Sequence, residues 1–124
     1  MAKVRQSATA PELATRKAAA ALGLHYRLSN RDLPGSPDLA NRRGRWAIFV
    51  HGCFWHRHKN CPKASLPKRN WEFWAAKFRD NYERDKRVTR ELVGRGYKVV
   101  VIWECQTKDV SRVLTKLESL LGKS

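Results

Sequence analysis

Two short and entirely apolar runs constrain the fold of this 124-residue chain more than any other feature. The first covers residues 46–50 (WAIFV), and the second covers residues 99–102 (VVVI), where every residue is β-branched. A strand that is apolar on both faces is typical of a sheet covered on both sides. A long amphipathic segment separates the two runs. The order of elements therefore predicts an α/β fold, with a mixed central sheet flanked by helices.

Capping and turn signals predict the elements around these strands. Thr9 and Glu12 form a capping box that starts a helix, and Gly23 is expected to end it after Leu22. Alternation over residues 24–28 predicts a strand, and a loop rich in Gly and Pro leads to a short strand opening at 38–39. A tight turn is expected at 42–45, before the first apolar run.

Two amphipathic helices are predicted in the second half of the chain, over residues 70–93 and from about residue 109. Between them, a buried strand is expected over 97–103, closed by Glu104 and Cys105. The stripe of the long helix is Trp71, Trp74, Phe78, Tyr82, Val88 and Leu92, and that of the last helix is Val110, Val113, Leu114, Leu117, Leu120 and Leu121.

The charge balance points to a polyanionic partner. Lys and Arg number 26 against 11 Asp and Glu, which leaves a formal net charge of +15. Nucleic acid is the expected partner, because cationic side chains displace counterions from phosphates. An anionic membrane surface is a weaker alternative, since no basic amphipathic helix stands out. A single domain over 1–124 is expected, with 1–8 as a flexible arm. No secretory signal or membrane span is visible, so we expect a cytoplasmic protein. A monomer is the expected oligomeric state.

The three cysteines and a nearby histidine form a candidate zinc site. Cys53, His58 and Cys61 share one irregular segment, and Cys105 lies at the end of a predicted strand. Three thiolates and one imidazole make a closed tetrahedral set, which is typical of structural Zn²⁺. His56 is an alternative fourth ligand that spacing does not exclude. Alternatively, Cys105 is a buried thiol and the loop histidines are solvated.

A second candidate site contains oxygen and imidazole groups. Asp38 starts a predicted strand that faces the strand ending at Val50, and a backbone carbonyl beside it would complete a Mg²⁺ site. His51 and His56 are candidate bases for activating water, and Glu12 could orient a metal-bound water. Each also has an ordinary structural explanation, since Asp after Pro is common in turns and Glu12 belongs to a capping box.

Phe54 and Trp55 lie within the most polar segment of the chain. They pack over the zinc site in one interpretation. In the other, they form an apolar wedge that enters between base pairs of DNA. The residue pattern alone favours neither.

Four segments resemble the very-short-patch-repair (Vsr) family of DNA mismatch endonucleases. They are LPGSPD at 33–38, IFVHGCFWH at 48–56, NYERD at 81–85 and VIWEC at 101–105, and the match spans about residues 9–106. The resemblance implies a restriction-endonuclease-like α/β fold. It also implies an enzyme that nicks one strand of double-stranded DNA 5′ to the thymine of a T·G mismatch. Mismatch-repair proteins are possible partners.

The resemblance also implies roles for particular residues. Asp38 and the Val50 carbonyl match the Mg²⁺ ligands, and His56 matches the histidine that activates water. His51 and Glu12 match residues that hold metal-bound waters and phosphate oxygens.

The cysteine segment has family counterparts as well. The implied zinc ligands are Cys53, His58, Cys61 and Cys105. Phe54 and Trp55 match an aromatic pair inserted beside the mismatch, and Asp85 matches a residue with a supporting polar role.

The chain departs from the family pattern in three places. Val50 replaces a Thr found in some members, the spacing from His58 to Cys61 is one residue longer than in some relatives, and only eleven residues precede Glu12. We expect the nicking chemistry to be retained. Two alternatives are a nickase without strict mismatch specificity and a non-catalytic, zinc-stabilised DNA-binding module.

Overall fold

The computed structural model describes residues 9–53, 61 and 68–121. The predicted site residues Phe54, Trp55, His56 and His58, and the expected arm at 1–8, lie outside this part of the chain. In chain order the elements are α1 (Ala10–Ala21), β1 (Leu39–Asn41), β2 (Trp46–His51), α2 (Trp71–Gly94), β3 (Lys98–Trp103), a 3-10 turn (Glu104–Lys108), α3 (Val110–Glu118) and a second 3-10 turn (Ser119–Leu121).

The three strands form a mixed sheet in the order β1-β2-β3. Strand β2 is central, antiparallel to β1 and parallel to β3, with Val50 opposite Ile102 in the register. Its first four residues, 46–49, are all buried, as the apolar run predicts. Strand β3 confirms the strand that the second apolar run predicts. Its burial is uneven, however: Val100 and Ile102 are buried, while Lys98 at its start is exposed.

Helices cover both faces of this sheet, which confirms the predicted α/β class. Trp46 and Ile48 of β2 belong to a core shared with Ala19 of α1 and Leu117 of α3. The alternate residues of β2, Ala47 and Phe49, belong to a second core together with Leu92 of α2. The two faces of β2 therefore pack against different helices.

The capping predictions for α1 are confirmed. The Thr9 hydroxyl accepts a hydrogen bond from the Glu12 N–H at 3.4 Å, and the Glu12 carboxylate accepts one from the Thr9 N–H at 3.3 Å. Gly23 follows the helix with φ +77°, a left-handed conformation that glycine adopts without steric cost. The helix therefore starts and stops where the local signals place it.

The strand predicted over 24–28 is wrong. Only one bridge forms there, between Arg27 and Ala40, with N···O distances of 2.9 and 3.2 Å. The Asn41 side chain donates a hydrogen bond to the His25 carbonyl at 2.8 Å. In a longer strand pairing, a backbone N–H would donate to this carbonyl instead. Strand β1 has three residues and the chain turns at 42–45, so little strand remains for pairing.

Both predicted apolar stripes are partly wrong. Trp71, Tyr82 and Val110 are exposed, whereas Phe78 and Leu92 are buried as predicted. Helix α2 has 24 residues and spans about 36 Å, while the six residues of β2 span about 20 Å. The helix is therefore longer than the sheet beneath it. In addition, Glu104 and Cys105 begin a 3-10 turn and do not continue β3.

None of the helices within the described residues has the length and apolarity that crossing a bilayer requires.

Candidate active site and cysteine cluster

Asp38 lies immediately before β1 and is bonded to the end of β2. Its N–H donates to the Ile48 carbonyl at 3.0 Å, and its carboxylate accepts from the Val50 N–H at 2.7 Å. The N–H and C=O of one residue in an extended strand point to the same side. The Val50 carbonyl therefore faces the Asp38 side of β2. The two predicted Mg²⁺ ligands are neighbours.

Burial raises the pKa of Asp38 to about 6, above its ordinary value of 3.8. The hydrogen bond from Val50 and the charge of Arg16 oppose this increase, while the negative charge of Glu12 adds to it. Negative charge on Asp38 is therefore unfavourable, because the carboxyl group is half-buried and lies near the Glu12 carboxylate. Such a pair is a favourable place for a cation, because a cation compensates both charges.

Glu12 and His51 also lie around the end of β2. Glu12 lines a cleft of about 280 Å³ with Asp38, and a second cleft of about 280 Å³ with Val50 and His51. The His51 ring contacts the Trp103 ring edge to face, with a centroid distance of 5.2 Å. Three of the four predicted catalytic residues therefore gather here. The fourth, His56, lies outside the described residues.

A third cleft, of about 400 Å³, is also lined by Asp38. His51, Arg84 and Asp85 line it together with Asp38. The supporting polar role implied for Asp85 is compatible with this placement, since Asp85 lines the cleft together with the end of β2. Helix α2 thus brings both a carboxylate and a guanidinium group to the site.

Two residues at the site were missed by sequence reasoning. Arg16 lines the same cleft as Glu12 and Asp38. The sequence contains a signal for it: Arg16 is four residues after Glu12, and positions four apart on a helix lie on one face. Glu104 accepts a hydrogen bond from the Cys53 N–H at 3.3 Å, and it lines the cleft that contains His51. It thereby links the carboxylate site to the cysteine cluster.

The structure brings Cys105 to the segment that contains Cys53 and Cys61. The sulfur atoms of Cys53, Cys61 and Cys105 lie within 4.8 Å of one another. All three thiols are free of disulfides. Burial raises the pKa of Cys53 to about 12; a hydrogen bond from the Cys105 backbone opposes this increase, and hydrogen bonds with the side chains of Cys61 and Cys105 add to it. A Zn²⁺ ion would reverse this, since thiols bind zinc as thiolates. Soft sulfur donors suit zinc, so these residues fit the ion.

The fold and the site define a class: a basic α/β domain with a carboxylate-lined cleft at the end of its central strand and a three-thiol cluster beside it. This chain belongs to the Vsr family, because residues 1–63 match the model of the family described as DNA mismatch endonuclease Vsr.

Curated relatives agree with this assignment. The Type II nicking enzyme V.XorIIP of Xanthomonas oryzae pv. oryzae is 38% identical over 124 residues, all of this chain and 90% of the relative. The Type II nicking enzyme V.NmeAIP of Neisseria meningitidis is 36% identical over 98% of this chain and 86% of its own length. The DNA mismatch endonuclease Vsr of Escherichia coli is 42% identical over 67% of this chain and 53% of its own length.

Proposed function

We propose that this protein is a DNA endonuclease that hydrolyses one phosphodiester bond in one strand of a duplex, using Mg²⁺ held at Asp38. The observation that carries the proposal is the Asp38–Val50 hydrogen bond of 2.7 Å, which fixes a carboxylate beside a strand-end carbonyl. Membership of the Vsr family and a net charge of +15 support DNA as the substrate. The restriction-endonuclease-like arrangement implied by the resemblance is part of this proposal.

The oxygen donors at this site fit Mg²⁺, which prefers a small number of protein oxygens and retains several waters. The Asp38 carboxylate and the Val50 carbonyl would hold the ion. Bound there, Mg²⁺ would supply positive charge near the attacking and leaving oxygens of the phosphodiester. Asp38 must be ionised to bind it, so protons compete with Mg²⁺ for a carboxyl group whose pKa without metal is about 6.

The remaining site residues are proposed to accept a proton or to orient water molecules. His56 takes the proton from the attacking water in this proposal, in keeping with the resemblance. Glu12 and His51 line the cleft next to Asp38 and would orient water molecules and phosphate oxygens. The ring contact with Trp103 limits the rotation of His51, so its imidazole stays at the end of β2.

We propose that the cysteine cluster holds a structural Zn²⁺ ion, with Cys53, Cys61, Cys105 and His58 as ligands. The hydrogen bond from the Cys53 N–H to Glu104 supports a structural role for this cluster close to the cleft. Because Cys53 and Cys61 flank His56 in the sequence, a zinc ion bound to both would also position the segment that contains His56.

The substrate within duplex DNA is proposed to be a T·G mismatch, cut 5′ to the thymine, with Phe54 and Trp55 inserted beside it. The support is the resemblance of the segment at 48–56, together with the name of the E. coli relative. An apolar wedge unstacks a mismatched step at lower cost than a paired one.

The test is a nicking assay on end-labelled duplexes, one with a single T·G mismatch and one fully paired, with and without Mg²⁺. We expect a Mg²⁺-dependent nick in the mismatched duplex only, no nick with the Asp38→Asn variant, and normal nicking with Asp80→Asn, which alters an exposed carboxylate on α2. Equal nicking of both duplexes would refute the mismatch preference. Failure of the wild-type protein to nick either duplex would refute the proposed activity.

A further inference from the structure

The feature that the proposed chemistry does not use is the guanidinium group of Arg16. Glu12 and Arg16 are four residues apart on α1, and both line the cleft of about 280 Å³ that contains Asp38. The positive charge of Arg16 lowers the pKa of Asp38, in keeping with the cleft that both residues line. Arg16 therefore faces the carboxylate site.

The hydrogen bonding of Arg16 is nevertheless incomplete within the described part of the chain. Its Nε atom is buried and makes no hydrogen bond there. The nearby carboxylates accept bonds from the backbone: Asp38 from the Val50 N–H and Glu12 from the Thr9 N–H. A buried donor without a partner costs about 1–3 kcal/mol, and more when it is charged. Such a group next to a candidate site calls for an explanation.

The rest of this cleft has donors suited to an anion. Arg31 and the hydroxyl-bearing Ser29 and Ser36 line it with Arg16. Guanidinium and hydroxyl groups are common donors to phosphate oxygens, and arginine binds them in a bidentate manner. The cleft is thus lined by two acidic residues and by several hydrogen-bond donors.

Asp38 and Ser36 belong to both this cleft and the larger one lined by His51 and Arg84. The reacting phosphodiester would occupy the side where His51 lies. A strand passing Asp38 would then place an adjacent phosphate on the Arg16 side. Because successive phosphates in a strand are covalently spaced, fixing the neighbour also fixes the reacting group.

We propose that Arg16, assisted by Arg31, binds the phosphate adjacent to the one that is cleaved and so positions the scissile bond at Asp38. This inference rests on the proposed nuclease function and adds a substrate-binding subsite to it.

The test is a binding cycle on DNA in which single phosphates near the nick are replaced by neutral methylphosphonates. Affinities are measured without Mg²⁺ for the wild-type protein, Arg16→Gln, Arg16→Lys and the control Lys17→Gln, which alters an exposed cation on the same helix. For the wild type, we expect one methylphosphonate adjacent to the nick to weaken binding about tenfold or more, as for a lost charged hydrogen bond.

Arg16→Gln is expected to bind fully charged DNA about tenfold more weakly and to be insensitive to that same methylphosphonate. Arg16→Lys should recover part of the affinity, and Lys17→Gln should retain the full sensitivity of the wild type. If Arg16→Gln lowers the affinity for every duplex by the same factor, including the methylphosphonate duplexes, Arg16 acts through the fold or through Asp38, and the subsite is refuted. Thermal unfolding of each variant identifies a folding defect.

The outcome of the binding cycle can be distinguished from a failure of the proposed nuclease activity. A wild-type protein that shows the expected phosphate sensitivity and yet nicks no DNA would refute the nuclease function and leave Arg16 as a residue that binds a DNA phosphate beside Asp38. A wild-type protein that nicks without this sensitivity would refute the subsite alone.

Discussion

Replacing Asp38 with Asn should stabilise the metal-free protein while abolishing its activity. The pKa of Asp38 is about 6 in the fold and 3.8 ordinarily, and each pKa unit corresponds to about 1.4 kcal/mol. Keeping this carboxylate ionised therefore costs about 3 kcal/mol of folding free energy at pH 7. Asn removes the charge and can still accept the hydrogen bond from Val50. Its new N–H₂ group needs a partner, which reduces the expected gain to about 1–2 kcal/mol.

The effect depends on pH in a defined direction. Since the pKa is raised in the folded state, wild-type stability relative to Asp38→Asn falls as pH rises from about 4 to about 6 and is constant above that. The melting temperature of the variant should exceed that of the wild type by about 4–8 °C at pH 7.5. Near pH 4, where the carboxyl group is mostly protonated and only the cost of the Asn N–H₂ group remains, the variant should be no more stable than the wild type. Because both proteins retain the same cysteine cluster, its own pH dependence cancels in the comparison.

Thermal unfolding without Mg²⁺ at the two pH values measures this difference, with Asp80→Asn as a control expected to change stability by less than about 0.5 kcal/mol. Added Mg²⁺ should then raise the melting temperature of the wild type and leave that of Asp38→Asn unchanged. Equal stability of the wild type and Asp38→Asn at pH 7.5, or a less stable variant, would refute the assignment of Asp38 as a strained, cation-requiring carboxylate.

Three further predictions address other parts of the site. The nicking rate should rise with pH through about 6, and higher Mg²⁺ should shift the midpoint to lower pH, because Mg²⁺ and protons compete for Asp38; a midpoint independent of Mg²⁺ would contradict this. Cys105→Ser should lose bound zinc, measured by metal analysis, and should unfold about 10 °C lower, while equal zinc content would exclude Cys105 as a ligand. Trp55→Ala should weaken binding to T·G DNA about tenfold more than to paired DNA, and equal losses would indicate a packing role.

Strand β2 and helix α1 show what the sequence is able to predict. Four consecutive buried residues in β2 follow from a run that is apolar at every position, which only a doubly covered strand accommodates. The start of α1 follows from the Thr9–Glu12 capping box, whose signal is contained within four residues. Both signals are local, so no knowledge of the tertiary structure is needed.

The wrong predictions share a tertiary cause. Leu24 and Tyr26 are partly buried against the core, as their alternation suggests, yet β1 is too short to pair with their segment. Trp71 and Tyr82 have the spacing of an apolar stripe, but α2 is longer than the sheet that it covers. Periodicity reports which side chains share a face. It does not report the length of the partner that will cover that face.

The candidate site was partly accessible to the same reasoning. Strand ends predicted the approach of Asp38 to Val50, and the parallel pairing of β2 with β3 brings Cys105 to Cys53. Arg16 was missed because an arginine beside a lysine on a short helix resembles a solvated surface cation. Only the cleft reveals that its Nε is buried.

The most direct test of the central claim uses a supercoiled plasmid that carries one T·G mismatch, incubated with Mg²⁺ and the wild-type protein, Asp38→Asn or Asp80→Asn. The account predicts that the wild type and Asp80→Asn convert it to the open circle without forming linear DNA, while Asp38→Asn leaves it supercoiled. Conversion by Asp38→Asn at the wild-type rate would contradict the account, because the reaction would then not depend on the carboxylate held at the end of β2.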